Sequence, residues 1–226
     1  MLSFDFEPKE TVDTISTLPF EIGNPKTVYS DKNIIIIDDF VINCKHLCEW
    51  IDSEKENIHL EWSEYKHKFA KQWETNLFDC IAPPNTIVNP CWRFVRLASG
   101  QHLSPHVDAR YVQSVDRYSI YTIIIYLNTT NGDLEINGKR IQTKAGRVVI
   151  FNQDLVHQGR PHSENKYFMR SEFMYIRTPK IETQKDKEAN QLLREARNQY
   201  YNNPSLSVEL ENQAFQLSPE IEKLLF

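Results

Sequence analysis

The chain of 226 residues contains no apolar run long enough to cross a bilayer. The block Ile34 to Ile37 is short, ends at Asp38-Asp39, and reads as a buried strand. The opening stretch MLSFDFEPKE carries acid early and no apolar core, so no secretory signal is expected, and the chain reads as cytoplasmic or otherwise intracellular with no membrane partner. A surplus of basic residues is also missing: 26 Lys and Arg face 31 Asp and Glu, for a net charge of -5. That balance argues against general duplex nucleic-acid binding. Cysteine is sparse. Cys44 and Cys48 stand four apart, but Cys80 and Cys91 form no second pair at zinc-site spacing, so all four read as reduced, partly buried thiols. Internal repeats and low-complexity tracts are absent. What remains is a chain that is 40% hydrophobic and long enough for one domain with a sizeable core.

Residues 1–27, with Pro8, Pro19 and Pro25, read as an extended N-terminal arm. The strand at Ile34–Ile37 leads into a helix over residues 41–53, where Ile42, Leu47, Trp50 and Ile51 make an apolar stripe. Trp62, Tyr65, Phe69 and Trp73 recur at three and four residues, which predicts a second helix over residues 61–76. From Cys91 onward the pattern turns to strands: 92–97, 119–127, 133–136 between the turn dipeptides Asn131-Gly132 and Asn137-Gly138, 147–151 and 166–177. Strand after strand with turns between them predicts an antiparallel sandwich or barrel. The charged stretch from Glu182 to about Tyr201 reads as a helix, followed by a small amphipathic segment at 219–226. The implied division is an arm (1–27), a catalytic domain (28–180, core 89–178) and a C-terminal helical extension (181–226).

Three features point to chemistry. His106 and Asp108 stand two apart, which on an extended segment places an imidazole and a carboxylate on one side. His157 follows 51 residues later, just past a strand. Two histidines and one carboxylate form the facial triad that suits non-haem iron(II) and leaves three coordination positions open. Lys166 and Arg170 lie four apart on the next strand, sharing a side with Phe168 and Glu172, and offer two candidate cations for a carboxylate. Each piece alone is weak; their order along the chain makes the combination specific. Arg93 and Arg96 should point to opposite faces, His102 and His162 read as surface or supporting groups, and Asn128 as a turn cap.

The segments RFVRLASGQHLSPHVD, SIYTIIIYLN, GRVVIFNQDLVHQGRP and KYFMRSEFMYIR resemble the catalytic core of the 2-oxoglutarate/iron(II) oxygenase superfamily, in its prolyl 4-hydroxylase-like branch. The resemblance implies an α+β, mainly β fold: a double-stranded β-helix, or jelly roll, with helices packed on one sheet. It implies iron(II), 2-oxoglutarate and dioxygen, with room for ascorbate, and His106, Asp108 and His157 as catalytic metal ligands. It implies decarboxylation of 2-oxoglutarate to succinate and carbon dioxide, coupled to hydroxylation of a substrate C–H bond. Branch members often carry a co-substrate-contacting Tyr nine residues before the first ligand; here Leu97 stands there, and Tyr121 is the candidate substitute. Between the two anchors, Arg170 is preferred for its planar fork and Lys166 assigned an assisting place. The expected substrate is a protein or peptide residue such as proline. A small molecule or free amino acid ranks second, a nucleic acid third and a non-enzymatic interaction module last; the oligomeric state stays open.

Overall fold

A computed structural model describes residues 21–53, 64–69 and 76–225. It is a double-stranded β-helix built from a large sheet and a small one. Its strands are β1 (Lys26–Ser30), β2 (Ile34–Asp38), β3 (Glu64–Phe69), β4 (Thr86–Val88), β5 (Cys91–Leu97), β6 (Leu103–His106), β7 (Val112–Ser114), β8 (Arg117–Tyr126), β9 (Leu134–Ile136), β10 (Lys139–Ile141), β11 (Val148–Asn152), β12 (His157–Gly159) and β13 (Lys166–Ile176). The large sheet runs β1-β2-β11-β8-β13-β5-β3, with β4 beside β13 and β7 beside β8; the small sheet runs β10-β9-β12-β6. Every pairing is antiparallel.

The β-branched blocks explain the centre of the large sheet. Ile123 and Ile125 of β8, Val148 and Ile150 of β11 and Ile37 of β2 share one core with Trp92, Phe94, Met169 and Phe173. Helix α1 (Cys44–Ser53) closes that face by burying Cys44, Leu47 and Ile51. Alternate residues of the same strands, including Ile124, Tyr126, Val149, Phe151 and Phe168, form a second core with Leu134, Ile136 and Ile141 of the small sheet. The functional groups lie on this inner side. The β9–β10 hairpin turns on Asn137 and Gly138, whose φ angles of 47° and 81° are both left-handed, a backbone that Asn and Gly adopt most cheaply.

Several expectations change. Residues 64–69 form a strand and not part of a helix over 61–76, the rest of which lies largely outside the described residues. The segment pairs along β5 from Glu64 opposite Arg96 to Phe69 opposite Cys91, giving the backbone of both strands its partners. The order Glu-Tyr-Lys-His-Lys-Phe alternates charged with aromatic, a period of two hidden beneath the three-and-four spacing of the wider stretch. The first helix starts at Cys44, leaving Ile42 exposed. The end of the expected arm is tied down: Gly23 N–H donates to Phe40, Ile42 N–H to Glu21, and β1 begins at Lys26; residues 1–20 lie outside the described residues.

The C-terminal segment makes three helices: α2 (Gln184–Gln199), α3 (Pro204–Leu217) and α4 (Pro219–Leu225). Thr183 caps α2 in a capping box with Asp186, and Asn203 caps α3, whose first residue is Pro204. Ala189, Leu193, Ala214, Ile221 and Leu224 bury Val112 and Val115. These helices therefore gather at the β7 end, while α1 and the short 3-10 helix Asn76–Ile81, through Phe78, join the core on the outer face of the large sheet. None of the described helices is long and apolar enough to cross a membrane.

Candidate active site

β6 and β12 pair so that His106 faces His157 directly. Their rings stand 4.2 Å apart by centroid. The chain leaves β6 after His106, and Asp108 turns in beneath them: its Oδ1 is 3.7 Å from His106 Nε2 and its Oδ2 3.6 Å from His157 Nε2. Potential ligand atoms from the three residues all lie within 4.8 Å of one another, the one such His/Cys/Asp/Glu cluster among the described residues.

The donor set fits a divalent iron ion. His106 Nδ1 is 2.7 Å from the Ser104 carbonyl and His157 Nδ1 3.0 Å from the Leu155 carbonyl. A carbonyl only accepts, so Nδ1 carries the proton in each ring. Both Nε2 lone pairs are then left for a metal, each ring fixed by its own strand. Two imidazole nitrogens and a carboxylate oxygen gathered within 4.8 Å are a donor set that suits iron(II).

The electrostatics also suit a cation. Burial alone would raise the Asp108 carboxyl, but Arg170, His106, His157 and the Thr122 hydroxyl outweigh it and hold the group well below the usual carboxylate range. Arg170 Nη2 lies 2.8 Å from Asp108 Oδ1, and Thr122 Oγ1 donates to Asp108 Oδ2. His106 is pushed up, mainly by the neighbouring Asp108 carboxylate. Burial pushes His157 down, favouring the neutral ring that binds metal.

A pocket runs inward from this cluster between the two sheets. Its walls include Leu103, Ile124, Tyr126, Leu134 and Phe168, with Lys166 and Arg170 also lining it. The shared side read for Lys166 and Arg170 is therefore real, but the two take different places. Arg170 sits at the metal end, between Asp108 and Glu172, whose Oε1 is 3.9 Å away. Glu172 is fully buried and accepts from Arg93 Nη1 at 2.5 Å and Asn89 Nδ2 at 3.0 Å. Lys166 lies four residues along β13, about 13 Å at 3.3 Å per residue. Its ammonium is buried, donates to the Gly132 carbonyl at 2.7 Å and stands 5.1 Å from the Tyr126 ring centre. Burial pushes it down to about 8. A Cβ at Gly132 would meet His162 Cβ at 2.6 Å, so glycine there lets the acceptor carbonyl approach.

Tyr121 does not belong to this site. It packs with Ile123 and Ile125 against the outer core and lines a separate cleft with Asp31, Pro83 and Ile150. The inward parity of β8 is Thr122, Ile124 and Tyr126, so the tyrosine that reaches the pocket is Tyr126. The other supporting residues fall as follows. Arg93 and Arg96 diverge: Arg93 meets Glu172, and Arg96 lies 3.5 Å from Asp52. His102 is exposed, whereas His162 is buried with Nδ1 against the Glu164 carbonyl. Asn128 joins the strand ends, donating to Asn165 and accepting from Tyr167 N–H.

Comparison with known proteins agrees with this geometry. Residues 92–173, from β5 into β13, match the family described as the 2OG-Fe(II) oxygenase superfamily. A viral collagen prolyl hydroxylase from Paramecium bursaria Chlorella virus 1, solved with 2OG, superposes with a TM-score of 0.50 at 16% identity, covering 65% of this chain and 97% of that one. A prolyl 4-hydroxylase from Phytophthora capsici gives 0.49 at 15% identity, with 86% and 82% covered. A prolyl hydroxylase from Trichoplax adhaerens, in complex with a hypoxia inducible factor peptide fragment, gives 0.48 at 13%, with 62% and 83% covered. No curated protein matches by sequence. The family match over residues 92–173, together with the His-Asp-His cluster, supports a 2-oxoglutarate-dependent dioxygenase with iron(II), 2-oxoglutarate and dioxygen as its cofactor set. Within that class the chain has the architecture seen in prolyl hydroxylases.

Proposed function

We propose that this protein hydroxylates a residue of a protein or peptide, proline foremost, releasing succinate and carbon dioxide. In this reading His106, Asp108 and His157 hold iron(II), and Lys166 holds the far carboxylate of 2-oxoglutarate. The observation that carries it is one pocket with the triad at its mouth and a buried cation at its inner end. Iron there would supply oxygen activation coupled to 2-oxoglutarate decarboxylation. The protein's own residues do the rest. Thr122 and Arg170 hold Asp108 as an oriented anion, Leu103, Ile124, Leu134 and Phe168 keep the pocket apolar, and Lys166 with Tyr126 forms its polar end. Lys166 replaces Arg170 as the preferred anchor. Arg170 is already paired with Asp108, while the buried Lys166 ammonium lines the same pocket and donates to a neutral carbonyl, which leaves its charge for a carboxylate.

The choice of a peptide is supported by two observations. The His106 side chain is 40% exposed while that of His157 is 6%, so among the described residues the metal end opens outward on the His106 side. The inner pocket is then left to the co-substrate, and a substrate approaches from outside. The similarly folded viral enzyme is a collagen prolyl hydroxylase. The test is anaerobic titration of the iron(II)-loaded protein with 2-oxoglutarate, followed by the visible charge-transfer band of the chelate. A band lost in His157→Ala supports the reading; failure of the wild type to bind iron or 2-oxoglutarate overturns it. Succinate release with prolyl peptides, set against free amino acids, then decides the substrate.

A further inference from the structure

The segment between Asp108 and β8 has the polar composition of a flexible flap, but the structure pins it. Arg110 and Asp154 form a two-pronged ion pair, Arg110 Nη2 lying 2.8 Å from each carboxylate oxygen. Tyr111 N–H donates to Ser119 Oγ at 2.8 Å, and Ser119 N–H returns a bond to the Tyr111 carbonyl at 2.8 Å. The same Ser119 hydroxyl donates to Gln153 Oε1 at 2.7 Å, and Ser119 and Gln153 are both fully buried. Further along, Val112 and Val115 are buried among the C-terminal helices, and the Asp116 carboxylate accepts the N–H groups of Ile181 and Glu182.

Sequence position gives these contacts their meaning. Arg110 and Tyr111 follow the ligand Asp108 by two and three residues; Gln153 and Asp154 precede the ligand His157 by four and three. The β6–β12 ladder reaches His106 opposite His157, and among the described residues it does not extend to Asp108 or to the loop before β12. Two side-chain links join those segments.

We propose that Arg110–Asp154 and Ser119–Gln153 form a bracket that positions Asp108 against His157, making these four positioning residues of the metal centre. The inference rests on the triad holding the metal. A bracket of this kind acts through its ligands, so its loss should loosen metal binding by about tenfold or more, the range in which partners behind metal ligands act. The carboxylate of Asp154 is 60% exposed, which makes Asp154→Asn a gentle probe; Ser119→Ala removes the second link with little change in volume.

The experiment has two readouts on the full-length chain. Iron(II) affinity is measured anaerobically against a competing chelator for wild type, Asp154→Asn, Arg110→Ala, Ser119→Ala and the swap Arg110→Asp with Asp154→Arg. Hydrogen–deuterium exchange is measured on the same proteins without metal. The expected result is about tenfold weaker iron binding in each single variant, recovery in the swap, and faster exchange over residues 109–113 in Asp154→Asn and Ser119→Ala. Wild-type affinity in the single variants, or a swap as weak as Arg110→Ala, overturns the bracket. If the wild type binds no iron, the reading of the site fails and the metal-positioning role falls with it; if it binds iron, unchanged exchange in both probes overturns the bracket alone.

Discussion

The two faces of β8 and β13 are equally buried and differ in how the burial is satisfied. On the outer face Ile123, Ile125, Met169 and Phe173 are wholly inaccessible and belong to the apolar core beneath α1. On the inner face Thr122 and Glu172 are also inaccessible and Lys166 is 3% exposed, yet each has a specific polar partner: Asp108, Arg93 with Asn89, and the Gly132 carbonyl. Apolar packing of the outer kind gains stability from area removed from water. Buried charges of the inner kind gain little on balance, because desolvation offsets their attraction, while removing one partner is costly. One face holds the fold together. The other retains polar groups that the proposed function uses to hold Asp108, Arg170 and the co-substrate.

The contrast can be broken most severely at the mouth of the pocket. His157→Ala should reduce 2-oxoglutarate turnover to background while the circular dichroism melt stays within a few degrees, because Asp108 keeps Arg170 and Thr122 as partners. Retained turnover would remove His157 from the metal. The opposite face should show the opposite split. Ile125→Ala opens a cavity in a dry core and should cost about 2–5 kcal/mol in chemical denaturation, with the KM for 2-oxoglutarate within about twofold. If its KM shifts instead, the faces are coupled and the division is wrong. At the inner end, Lys166→Met deletes a charge-assisted contact worth about 1.5–3 kcal/mol, a loss of roughly 10–100-fold in 2-oxoglutarate affinity. Arg170→Ala should weaken it less; the reverse order would return the anchor to Arg170.

How much of this could be read in the chain follows the same division. The order of β5, β8, β11 and β13 was legible because their runs of Ile, Val and Phe state burial directly, and the triad because His-x-Asp and a later His fall in sequence around them. The facing direction of β8 was not legible. With apolar residues at 123, 124 and 125 a strand buried on both faces has no alternation to read, so Tyr121 and Tyr126 were indistinguishable until β13 fixed the register at Phe168 opposite Tyr126. β3 failed for another reason: its aromatic spacing fits a helix, and only the unpaired edge of β5 selects the strand. Helix α3 was missed although Asn203 and Pro204 supply a cap and a first-turn proline. The bracket around Ser119 lay beyond reach, since each link joins residues 8 to 44 apart whose types are common in loops.

The smallest effect is the most diagnostic, because it reverses sign between ligand binding and folding. Burial pushes Lys166 down to about 8, against about 10.4 for an unperturbed lysine. The far carboxylate of 2-oxoglutarate needs the ammonium form. Above pH 8 the free protein sheds that proton, so the dissociation constant should climb, approaching tenfold per pH unit. Folding runs the other way. Between about pH 8 and 10.4 the unfolded chain binds a proton here that the folded chain does not, so this residue's contribution to stability rises with pH through that window. Lys166→Met should flatten both slopes relative to wild type, and Lys166→Arg, charged throughout, should keep binding independent of pH. Isothermal titration at pH 7 to 9.5, beside denaturant melts of the same proteins, reads both signs. A wild-type dissociation constant unchanged across that range would mean that the co-substrate's carboxylate is held by a group that does not titrate there, and Arg170 at the metal end would be the residue left to hold it.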